Sequence, residues 1–111
     1  MLTYAEFETF ITGLDDSIWL DFPFDEKTAV FKFGEKPEGK IVALVELESK
    51  PLRVSLKCDP QLAEHLRSEY ETVLPGYHLN KRHWNTILCT GQLDTQEVLD
   101  LARLSYELVR R

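Results

Sequence analysis

The chain has 111 residues, 43% of them hydrophobic, 29% charged and 11% aromatic, which suits one hydrophobic core and excludes a disordered polymer. Thirteen Lys and Arg against nineteen Asp and Glu leave a net charge of −6, so contact with nucleic acid or an anionic membrane would need a local basic patch. The longest apolar run, Ile41 to Val45, is far too short to span a membrane.

Residues 1–6 lack the basic and apolar regions of a secretory signal. The two cysteines stand thirty-one residues apart with no CxxC, which argues against a disulfide scaffold or a zinc ribbon. A cytoplasmic, reducing setting is the expectation.

In chain order, Thr3-Tyr4-Ala5-Glu6 forms a capping box, with Leu2 and Phe7 at the staple positions. Phe7, Phe10, Ile11 and Leu14 continue a helical stripe, and Gly13 stands where a left-handed cap would end it, giving a helix over about 3–13. Asp21 to Glu26, interrupted by Pro23, reads as an extended loop. Three strands follow. Thr28 to Phe33 sets Ala29, Phe31 and Phe33 on one side. Ile41 to Leu47 is apolar on both sides at its start, as a central strand would be. Leu52, Val54 and Leu56 alternate with Arg53, Ser55 and Lys57.

Asp59-Pro60 opens a second helix, with Leu62, Ala63, Leu66 and Tyr70 on its inner face. Trp84 to Cys89 is a further strand, preceded by a short one near Tyr77. Asp94 and Glu97 cap a last helix striped by Val98, Leu101, Ala102, Ser105, Leu108 and Val109. The order α-β-β-β-α-β-β-α predicts a single α+β domain over residues 1–111, a two-layer sandwich of an antiparallel sheet and helices. Val42 and Leu44, with Val30 and Ile87, would then face away from the core. That side would be open to self-association as a homodimer unless the last helix covers it.

Pro75 to Thr86 stands apart. It carries no acidic residue and interleaves Lys81 and Arg82 with His78 and His83, Asn80 and Asn85, and Tyr77 and Trp84. Lys, Arg and Asn hold phosphates, and Tyr, Trp and His stack on bases. Arg53 and Lys57, on one face of a strand, would extend the patch. The same residues also make an ordinary tight loop, with Asn80 left-handed, the aromatic rings buried and the cations solvated. Charge is uneven along the chain: residues 1–35 sum to −6, 36–58 to +2 and 74–91 to +2.

No metal site is expected. His78 and His83 lack ligand spacing, and Cys58 and Cys89 read as buried thiols on adjacent strands. The acidic residues of the N-terminal region read as a solubilising face. No GxSxG, P-loop or HExxH is present, and no acid, base or nucleophile can be assigned, so a non-catalytic protein without a cofactor is the expectation.

Leu52-Arg53-Val54-Ser55-Leu56-Lys57-Cys58-Asp59-Pro60, Leu62-Ala63-Glu64, Pro75-Gly76-Tyr77-His78-Leu79-Asn80-Lys81 and His83-Trp84-Asn85-Thr86 closely resemble the MmcQ/YjbR family. Asp21-Phe22-Pro23-Phe24 and Val30-Phe31-Lys32 match its opening pattern. Cys89 departs from it, standing where an aromatic or apolar residue is expected. The resemblance implies a CyaY-like fold and a DNA-binding protein with a "double wing" motif. Lys81, Arg82, His83 and Asn80 would then meet phosphate, and Tyr77 and Trp84 would stack. The alternative is an interaction module that recognises a protein or a small anionic ligand through the same segment.

Overall fold

The computed structural model describes residues 1–111. Its elements are α1 (Tyr4–Thr12), β1 (Ile18–Asp21), β2 (Thr28–Phe33), β3 (Lys40–Glu46), β4 (Arg53–Lys57), α2 (Pro60–Glu69), β5 (Val73–Pro75), β6 (Trp84–Leu88) and α3 (Thr95–Val109). The strands form one antiparallel sheet in the order β1-β2-β3-β4-β6-β5, and the helices pack on one of its faces. No helix is long and apolar enough to cross a membrane.

Both capping boxes form. Thr3 accepts from the Glu6 amide while Glu6 reaches back to the Thr3 amide, and Asp94 and Glu97 do the same for α3. Gly13 ends α1 in the right-handed region (φ −79°), because its amide bonds back to Ile11 and Thr9 without a left-handed turn. Asp59 caps α2, with Pro60 at the first helical position.

The sheet has one strand that the periodicity did not announce, β1. Four residues are too few to establish a period of two. They are extended because β2 supplies hydrogen-bond partners from Ile18↔Phe33 to Asp21↔Val30. The short strand expected near Tyr77 lies earlier, at Val73–Pro75, paired with β6.

On the helix-covered face, Ala29, Val45, Val54, Ile87 and Val73 occupy one cross-strand row, all buried. Ile87 therefore belongs to the core and not to the opposite side. Val42 also leaves the open side. The β2–β3 register skips it between Phe31↔Ala43 and Lys32↔Ile41, so it is the extra residue of a β-bulge. Its displaced carbonyl accepts a 2.6 Å bond from the buried Ser105 hydroxyl, which in turn accepts from the Lys57 amide at 2.9 Å. One serine of α3 thus ties β3 and β4 together, so a serine within the apolar stripe is a satisfied polar group. Phe31 packs edge-on against Phe7 at 5.8 Å.

Cys58 and Cys89 are both buried, just past the ends of neighbouring strands β4 and β6, which run antiparallel and so set the thiols at opposite ends of the ladder. Burial pushes both thiols up to about 11, so neither is a thiolate at neutral pH.

The acidic residues are engaged locally. Glu6 is held below its ordinary 4.5 by the Thr3 amide and hydroxyl. Asp15 is held below 3.8 by the Tyr106 hydroxyl and the Ser17 amide, Asp21 by Lys32, and Asp25 by the Lys27 amide. The unfolded chain therefore takes up protons before the folded one as pH falls. The stabilisation is complete above the ordinary carboxylate values and disappears as pH passes below the folded ones. The melting temperature should decline below about pH 4, and Asp15→Asn should shrink that decline. A melting temperature that rises over this range would contradict the assignment.

Candidate functional site

The face of the sheet away from the helices carries the site. Its central row runs Val30–Leu44–Ser55–Thr86, with Thr28–Glu46–Arg53 on one side of it and Lys57–Trp84 on the other. Two loops border it, residues 22–27 and 76–83. Between them lies a cleft of about 490 Å³ lined by Phe24, Asp25, Thr28, Leu44, Glu46, Ser55, Tyr77, His78 and Leu79. The β1 edge is occupied by a local cluster: Lys32 pairs with Asp21 at 2.9 Å and lies over the Trp19 ring, whose Nε1 donates to the Gly34 carbonyl.

The 76–83 loop is built rigidly. Gly76 donates to the Trp84 carbonyl at 2.8 Å, and a Cβ there would sit 2.7 Å from the Trp84 Cβ, so only glycine lets the loop lie this close to β6. The Tyr77 amide donates to the Thr86 hydroxyl, which shares a 2.8 Å hydrogen bond with Ser55. The left-handed position falls on His78 (φ 60°), not Asn80. Asn80 instead turns the chain by accepting from the Arg82 amide through its side chain and from the His83 and Trp84 amides through its carbonyl.

These bonds aim the side chains. Tyr77 is 60% exposed, and its ring lies 3.9 Å from that of His78. Lys81 and Arg82 are exposed beside them. The Lys81 amine gives one bond to the Gly76 carbonyl at 3.1 Å, leaving two of its three donors free. Trp84 and His83 are half-buried, and Trp84 faces Lys57 across the β4–β6 ladder. Lys81 and Arg82 sit in the loop that leads into Trp84, and Lys57 is its cross-strand partner, so all three cations belong to the Trp84 end of the β4–β6 ladder. Arg53 stands four residues along β4, about 13 Å away, and its Nε lies 3.7 Å from a Glu46 carboxylate oxygen. Of the two strand cations expected to extend the patch, Lys57 stands opposite Trp84 and Arg53 is ion-paired at the far end of β4.

Asn85 is the sequence candidate that the fold uses otherwise. It is 2% exposed on the helix side of β6; its amide nitrogen donates to the Ala63 carbonyl, and its oxygen accepts from Arg67 at 2.7 Å. Arg67 also holds the Lys81 carbonyl at 2.9 Å. Asn85 and Arg67 fasten the loop from below.

Residue type alone did not single out Phe24, Asp25, Glu46, Ser55 or Leu79 as site residues. The available signal was Asp21-Phe22-Pro23-Phe24-Asp25, where Pro23 stops regular structure and leaves two aromatics with nowhere to pack; Phe24 is 63% exposed. No three His, Cys, Asp or Glu side chains converge as a metal-binding group.

The chain resembles known proteins along most of its length. It is 42% identical over 73 residues to YjbR of Escherichia coli K12, a match spanning 65% of this chain and 61% of that protein. It is 36% identical over 91 residues to YbdF of Escherichia coli O157:H7, spanning 81% and 70%. The fold superposes on Deinococcus radiodurans DR2400 with a TM-score of 0.94 at 38% identity, covering all of this chain and 80% of that one. A Pseudomonas syringae protein gives 0.79 at 26% identity, covering 98% and 100%. The family model described as YjbR matches residues 17–108, and the chain belongs to the YjbR family.

Proposed function

We propose that the protein is a non-catalytic DNA-binding protein that holds single-stranded DNA across the open face of its sheet. The observation that carries this reading is the exposed Tyr77–His78 ring pair beside Lys81 and Arg82 on a loop fastened at both ends. Stacking on an aromatic platform, with cations tracking the backbone, is how single strands are held without a deep groove. Lys57 completes a group of three cations at the Trp84 end of the β4–β6 ladder.

A flat duplex-binding surface fits less well. Asp25 and Glu46 line the cleft on this face, where a duplex would press phosphates against carboxylates. His78 supports the reading from another direction. A non-glycine residue at φ 60° costs of order 1 kcal/mol, held by the contacts around it, and strain of this kind clusters at ligand-binding positions.

Fluorescence anisotropy with a labelled single-stranded oligonucleotide at low salt tests the reading directly. Binding in the micromolar range is expected, and no binding below millimolar would overturn it. The protein would act as a monomer. Around the half-exposed Leu44 the face carries Ser55, Thr86 and Glu46, and its exposed apolar groups, Phe24, Tyr77 and Leu74, stand at its borders and break up any single apolar patch. Sedimentation equilibrium should return a monomer. A dimer that Leu44→Glu dissociates would return this face to self-association.

A further inference from the structure

We propose that the cleft holds one unstacked guanine base of the bound strand. The inference deepens the DNA-binding reading above and rests on it. The cleft, about 490 Å³, is large enough for a planar base with part of its sugar. Phe24 and Tyr77, both largely exposed, come from loops on opposite sides of it, and Leu44 contributes an apolar floor. Single-stranded bases are recognised in this way, splayed out, stacked on aromatic rings and read at their edges.

The polar lining selects among the bases. Asp25 and Glu46 are its two carboxylates, that of Glu46 lying 3.7 Å from the Arg53 Nε, and no Lys or Arg lines it. Asp25 is held ionised by the Lys27 amide. The Ser55 hydroxyl is already engaged with Thr86. The cleft therefore offers carboxylate acceptors and rejects a phosphate, which stays outside on Lys57, Lys81 and Arg82.

Guanine alone presents two adjacent donor groups, N1–H and the 2-amino group, which a single carboxylate accepts in parallel. Cytosine and adenine set one amino group beside a ring-nitrogen lone pair. Thymine sets its N3–H between two carbonyls. Each of these brings a lone pair against an ionised oxygen.

The test is anisotropy with labelled oligothymidylates whose central residue is thymidine, deoxyguanosine, deoxyadenosine, deoxycytidine or deoxyinosine. The deoxyguanosine strand should bind about tenfold more tightly than the thymidine, adenosine and cytidine strands. Deoxyinosine, which stacks and keeps N1–H but lacks the 2-amino group, should lose part of that gain. Asp25→Asn keeps an oxygen for the Lys27 amide and Glu46→Gln keeps its volume, so melting curves should confirm that both variants fold. Together they should bring the deoxyguanosine strand down to the level of the others. Equal affinity for all strands, or a guanine preference that survives both substitutions, would overturn the guanine site while leaving DNA binding in place. Failure of every strand to bind at low salt would overturn the DNA-binding reading and the guanine site with it.

Discussion

Asn85→Ala is expected to destabilise the protein by about 3 kcal/mol, as the loss of a buried side chain that satisfies two partners does. The Asn85 amide sits under the loop that carries Tyr77 to Arg82. Its nitrogen bonds the Ala63 carbonyl in α2, and its oxygen takes the Arg67 guanidinium. Alanine would remove the side-chain donor that ties that helix carbonyl to β6 and take from Arg67 one of its two acceptors, since only the Lys81 carbonyl would remain. Chemical denaturation should show a lower midpoint with little change in slope. DNA affinity should fall only as far as the loop loosens. An Asn85→Ala protein of wild-type stability that no longer binds DNA would make Asn85 a contact residue and contradict this role.

Removing the cations should do the opposite. Lys81→Ala with Arg82→Ala is expected to weaken single-strand binding roughly 100-fold at low salt, at about 1.5 kcal/mol for each charged contact. Three cations at the Trp84 end of the β4–β6 ladder predict a log–log salt slope of about −2, at roughly −0.7 per phosphate neutralised on a single strand. The double variant should retain a slope of about −0.7. The loss should be uniform across sequences, because phosphate contacts position the strand and do not read it. Stability should be nearly unchanged. Arg82 is exposed, and the Lys81 amine makes one bond to a loop carbonyl. An unchanged salt slope would show that these cations do not meet the strand.

The features read correctly from sequence are those decided within a few residues. Thr3 with Glu6 and Asp94 with Glu97 are complete devices, each closing on its own turn, so the helix starts follow from four residues apiece. The alternation of Arg53, Ser55 and Lys57 against Val54 and Leu56 likewise survives intact in β4. Two of the misreadings involve partners distant in sequence. β1 is extended because β2 lies beside it, and Val42 turns inward because of a bulge that only the β2–β3 register reveals.

The site divides in the same way. Tyr77, His78, Lys81 and Arg82 stood out because their chemistry is concentrated in one segment. The cleft did not, since its other wall, Phe24, lies more than fifty residues earlier and meets Tyr77 only through the fold. Asn85 looked like a phosphate ligand by type, yet it shares a strand face with buried Ile87 two residues on. That period of two was the available sign that it points inward.

Mapping backbone amide shifts by NMR during titration with a short single-stranded oligonucleotide tests the central claim most directly. The account predicts that the perturbed amides cluster at Leu44, Ser55, Lys57, Tyr77, His78 and Arg82, with α1 and α3 silent on the opposite face. Perturbations confined to the helices, or none at millimolar oligonucleotide, would contradict it.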